Sequence, residues 1–117
     1  MSYLAVSVGL PTEAAAAELS RTLVEERLAA GTRIVSGTSH YRWEGTVHER
    51  RYWTVLAFTT DAHVDAICDL VHALSEDDLP GVTYSEIDAP EEYLAWIDAQ
   101  TSGDRQRRTR CCSPAGR

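Results

Sequence analysis

Between positions 33 and 52 the chain places Arg33, His40, Tyr41, Glu49 and Tyr52, side chains that together can move protons and hold an organic acid. An imidazole beside a carboxylate works as a general base near neutral pH, and a guanidinium grips a carboxylate or enolate through two parallel hydrogen bonds. Trp43, Trp53 and Phe58 occur in the same stretch and are expected to pack the walls of any cleft formed there. A plainer account stands beside this one. His40–Glu49 is then an ordinary cross-strand pair worth roughly a few tenths of a kcal/mol, and the aromatics serve packing between subunits.

Metal chemistry finds less support. His40, His48, His63 and His72 do not follow the local spacing of a soft-metal site, and Cys68, Cys111 and Cys112 do not complete one. His63 and His72 are expected to face solvent from a helix. The acidic run Glu76-Asp77-Asp78 lacks the glycine and distal glutamate of a calcium loop and reads as a solvated loop. No phosphate-binding glycine loop, nucleophile elbow or zinc-hydrolase signature occurs, so no cofactor is expected.

Composition bounds the partners. The 117 residues, 44% hydrophobic and 25% charged, suit one globular domain, taken as residues 1–102. The net charge of −7 divides unevenly, with 6 arginines against 17 acidic residues up to position 102 and 5 arginines against Asp104 beyond it. An acidic body repels phosphate backbones, which disfavours nucleic acid as a partner. The Gly-, Ser- and Arg-rich segment 103–117 reads as a disordered tail. No signal peptide and no membrane-length apolar run is evident, and a cytoplasmic location without membrane contact is expected. A domain of this size buries only about 60–65% of its unfolded surface, which favours self-association.

The elements that would position these side chains follow from periodicity. Residues 2–9 read as a central strand, and Thr12 caps a helix expected from Glu13 to about Ala30, with Gly31 as its left-handed C-cap. Residues 33–43 and 46–60 form a long hairpin around Glu44-Gly45. In that register Tyr41 faces His48 and His40 faces Glu49. One hairpin face then carries Tyr41, Trp43, His48, Arg50 and Tyr52, the other His40, Arg42, Val47, Glu49, Arg51 and Trp53. Thr60-Asp61 is expected to cap a second helix, Val82–Ile87 to form a strand, and Asp88 with Glu91 to make a capping box for a last helix. The order β-α-β-β-α-β-α predicts an α+β, ferredoxin-like fold with an extra C-terminal helix. A hairpin this long, aromatic on both faces, is expected to bury one face against another subunit.

Three motifs carry a resemblance. The run Leu23-Val24-Glu25-Glu26-Arg27-Leu28-Ala29-Ala30, the stretch from Ile34 through Ser39-His40-Tyr41-Arg42-Trp43 to Gly45, and Tyr93-Leu94-Ala95-Trp96-Ile97 together resemble the CutA family of divalent-cation tolerance proteins. The resemblance spans residues 3–98 and implies a homotrimer assembled through the long hairpins. The chain departs from the family pattern at Gly31-Thr32-Arg33, where a cysteine is usual, and at Tyr52, where a glutamate is usual. It departs again at Phe58-Thr59 and in the loop Ser75–Gly81. These exchanges predict a trimer repurposed to bind a small organic molecule at the intersubunit cleft, with cofactor-independent isomerase, cyclase or dehydratase chemistry as its catalytic form. Two alternatives remain: divalent-cation (copper) tolerance, and a non-catalytic sensor trimer resembling the PII-like signalling proteins.

Overall fold

The protein is described by a computed structural model that covers residues 2–102; the Arg-rich segment 103–117 lies outside the described residues. The elements are β1 (Tyr3–Leu10), α1 (Glu13–Glu25), β2 (Gly31–Trp43), β3 (Thr46–Thr60), a 3-10 turn (Asp61–His63), α2 (Val64–Leu74), β4 (Gly81–Glu86) and α3 (Glu91–Thr101). They build an α+β structure around one four-stranded sheet in the order β2-β3-β1-β4, with every neighbouring pair antiparallel. The expected element order is observed.

Strand alternation sets the two faces of the sheet. Leu4, Val6, Val8 and Leu10 of β1 alternate with less buried neighbours and lie beside Val55 and Ala57 of β3. On that face α1 contributes Ala16, Leu19 and Leu23, and α2 contributes Ile67 and Val71, all completely buried. Burying a side chain of this size contributes about 1.5–3 kcal/mol. Trp53 packs against the edge of this core. On the opposite face α3 covers one end of β2 and β3, with Ile97 fully buried and the Trp96 ring reaching Gly31. A β-carbon at Gly31 would stand 3.3 Å from that ring, so the glycine admits the tryptophan.

Several boundaries differ from the sequence expectation. α1 ends at Glu25 rather than near Ala30, because Arg27 takes φ 58° and the N–H groups of Leu28 and Ala29 both donate to the Leu23 carbonyl (2.9 and 3.0 Å). Gly31 therefore opens β2 and is not a helix cap. The Arg27 guanidinium then donates to the Gln100 carbonyl (3.0 Å) near the negative end of α3. Thr12 caps α1 as expected, accepting from the Ala15 N–H (3.1 Å). Thr60 makes no side-chain cap, and the 3-10 turn precedes α2 instead. The Asp88–Glu91 capping box does not form: Pro90 precedes α3, and Asp88 accepts from the Ala89 N–H. His63 is buried at that turn, contrary to its expected solvent exposure, whereas His72 is exposed.

Candidate functional site

The hairpin that opens the site is set by two residues. Glu44 (φ 52°) and Gly45 (φ 83°) form the two-residue left-handed turn that matches strand twist, and Trp43 pairs with Thr46 across it. The register then follows as expected, with Tyr41 opposite His48 and His40 opposite Glu49. Because directly opposed residues project to the same side, the five proposed catalytic residues separate into two groups.

His40 and Glu49 lie on the face shared with the core. The His40 Nε2 stands 3.0 Å from Glu49 Oε1, and both side chains are largely exposed (62% and 71%). Among the described residues of one chain no element covers this pair, and the strand register sets it on the face opposite Tyr41 and Tyr52. Arg33 is on the other face but sits toward α3, with its guanidinium 5.4 Å from the Phe58 ring centre, away from Tyr41 and Tyr52. Phe58 is thus a platform for Arg33, and Trp53 belongs to the core edge; of the three expected cleft aromatics, Trp43 lines the cavity described next.

The open face of the hairpin and the loop after α2 enclose a cavity of about 850 Å³. Its floor includes Tyr41, Trp43, His48, Arg50 and Tyr52, and one wall is the loop Glu76–Leu79. Tyr41 stacks on His48 (centroids 5.3 Å apart, 15° between planes) and meets Tyr52 edge-on at 6.0 Å. The Tyr52 hydroxyl donates to Asp77 Oδ2 (3.0 Å), tying the loop to the strand, and Asp77 N–H donates to Ser75 Oγ. The Arg50 guanidinium lies 5.4 Å above the Tyr52 ring.

These contacts set the charge states. Desolvation, then hydrogen bonding to Tyr41 and Asp77, pushes the Tyr52 phenol up from 10.0 to about 12. Tyr52 therefore stays neutral at physiological pH and acts as a hydrogen-bond donor, not as a base. Arg50 is held above its ordinary value, first by hydrogen bonding to Tyr41 and next by its proximity to Tyr52. The imidazole available to cavity chemistry is His48 rather than His40.

Sequence reasoning missed His48, Arg50 and Asp77 as site residues. The first two carried a usable signal, since strand alternation had already put them on the face of Tyr41 and Tyr52. Asp77 carried none, because its contact with Tyr52 spans 25 positions of chain. Among the described residues, no group of three or more His, Cys, Asp or Glu is arranged to hold a metal ion within one chain, and no helix is long and apolar enough to cross a membrane.

Known proteins share this sequence pattern and architecture. Residues 4–100 match the family model described as CutA1 divalent ion tolerance protein. The divalent-cation tolerance protein CutA of Thermus thermophilus is 37% identical over 98 residues, covering 82% of this chain and 95% of that one. The Arabidopsis thaliana protein named CutA, chloroplastic, is 31% identical over 100 residues, and this chain spans 55% of its length. Among solved structures, the Cut A1 protein of Thermus thermophilus superposes with a TM-score of 0.82 at 34% identity, covering 86% of this chain and 99% of that one.

Proposed function

The chain belongs to the CutA1 divalent ion tolerance family, and from that premise we propose that it works as a homotrimeric, ferredoxin-like divalent-cation tolerance protein. The observation that carries this reading is the family match from residue 4 to residue 100, which takes in the whole sheet, the long hairpin and α3. Two physical features agree with it. A net charge of −7 concentrates cations around the surface. Ile34 and Val47 project from the hairpin face outside the cavity with 41% and 57% of their surface exposed, uncovered among the described residues of one chain. Among the described residues no group of three or more His, Cys, Asp or Glu side chains is arranged to hold a metal ion within one chain, so under this reading donors from more than one subunit would supply the site.

The test is a titration of the purified protein with Cu²⁺, followed by native mass spectrometry. A trimer that retains copper stoichiometrically, and more tightly than an unrelated protein of equal negative charge, is the expected result. Retention no better than that control overturns the tolerance reading.

A second reading is favoured by the cavity itself. A concave site of this size, walled by aromatic rings with a few polar groups, suits a small organic molecule. Within the cavity His48 is the imidazole and Tyr52 a neutral hydrogen-bond donor, whereas the His40–Glu49 pair lies outside it. Isothermal titration with small organic acids and amines tests it, and the absence of any heat above dilution across that set contradicts it.

A further inference from the structure

Charge is segregated across the cavity in a way that one class of ligand matches. The floor presents Arg50, which is exposed; among the described residues no carboxylate lies within ion-pair distance of it, and Asp77 of the facing wall acts on it at longer range. The facing wall presents Glu76, Asp77 and Asp78. Asp77 is engaged by the Tyr52 hydroxyl, whereas among the described residues Glu76 and Asp78 accept no side-chain hydrogen bond and join no ion pair. Between these two poles lie Trp43 and the stacked Tyr41–His48 rings.

A simple anion entering the cavity would gain the guanidinium and meet three carboxylates. A simple cation would gain the carboxylates and meet Arg50. Each therefore sets an attraction against a repulsion across one open concave site. A molecule with both charges satisfies both poles.

Resting on the organic-ligand reading above, we propose that the cavity binds a small zwitterion with an apolar body. Its carboxylate pairs with Arg50, its ammonium with Glu76 and Asp78, and its body lies against Trp43 and Tyr41. The Tyr52 ring, 5.4 Å from the Arg50 guanidinium, restrains it from one side, and the planar fork of donors suits a carboxylate. Tyr52, by holding Asp77, fixes the loop that supplies the negative pole.

Calorimetric titration of the full chain with L-phenylalanine, hydrocinnamate and phenethylamine tests the assignment, because the three share one apolar body and differ in charge. Phenylalanine is expected to bind about tenfold more tightly than either single-charge analogue. Arg50→Leu should weaken phenylalanine and tighten phenethylamine, so that the zwitterion loses its advantage over the amine, and Glu76→Gln with Asp78→Asn should remove its advantage over hydrocinnamate in the same way. Circular dichroism confirms that the variants keep the fold. Equal binding by hydrocinnamate or phenethylamine overturns the zwitterion assignment and leaves the organic-ligand reading standing. Absence of heat from all three overturns the zwitterion assignment, and the organic-ligand reading falls with it only when the wider set of organic acids and amines is silent too.

Discussion

At the base of the sheet, Val55 and Ala57 of β3 are sealed beneath Leu19, Leu23 and Ile67; eight residues upstream in the same strand, Val47 is 57% exposed. The two ends of β2 and β3 share a backbone ladder and differ in what covers them. The base is closed by helices of its own chain, α1 and α2 on one face and α3 on the other. The tip has the loop Glu76–Leu79 beside one face, and among the described residues no further layer of the chain covers its apolar side chains. Buried apolar area at the base stabilises the single chain, whereas apolar area at the tip contributes nothing until something docks on it.

The sharpest way to break this contrast is to truncate a large apolar side chain at each end. Leu23→Ala at the base should lower unfolding free energy by about 2–5 kcal/mol, since the side chain is completely buried. Trp43→Ala at the tip should leave the fold of one chain nearly unchanged in urea unfolding at high dilution. A comparable loss at both sites would erase the distinction.

A smaller effect is expected at the turn that creates the tip. Gly45→Ala places a β-carbon at φ 83° and should cost about 1 kcal/mol in thermal unfolding, while the circular dichroism spectrum keeps its strand signal.

Next comes the strap between strand and loop. Tyr52→Phe removes the hydrogen bond to Asp77 and should destabilise by about 1 kcal/mol or less. Its pH dependence has a definite sign. The phenol is raised from 10.0 to about 12 in the folded state, so folding favours the protonated form. The stabilisation attached to Tyr52 is then full below pH 10 and fades as pH rises toward 12. The stability gap between wild type and Tyr52→Phe should be flat below pH 10 and shrink above it, and the phenolate absorbance of Tyr52 should emerge late in an alkaline titration.

The smallest effect belongs to the solvent-facing pair. Glu49→Gln should change stability by at most about 0.5 kcal/mol, because His40 and Glu49 are both largely exposed. A larger change would mean that something covers this face in the assembled protein.

The base of the molecule was legible because its signals are local. Alternation placed β1 and β3, Thr12 marked the start of α1, and Glu44-Gly45 fixed the hairpin register to the residue. The end of α1 was not legible, because Arg27 takes the left-handed conformation that a glycine usually signals. The start of α2 was obscured in the same way, by a 3-10 turn that buries His63. At the site, alternation already separated His40 and Glu49 from Tyr41 and Tyr52, yet shared chemistry grouped them together. Proximity along the sequence is a weaker guide than the face of the strand. The Tyr52–Asp77 contact depends on how the loop after α2 folds back over the sheet, and no local pattern encodes that.

The central claim is that the uncovered hairpin is an association surface shared among copies of this chain. Sedimentation equilibrium of the wild type, beside a Val35→Asp, Val47→Asp variant, tests it most directly. The account predicts three chains per particle for the wild type and dissociated, still folded chains for the variant. A wild type that sediments as a single chain across the micromolar range would contradict it.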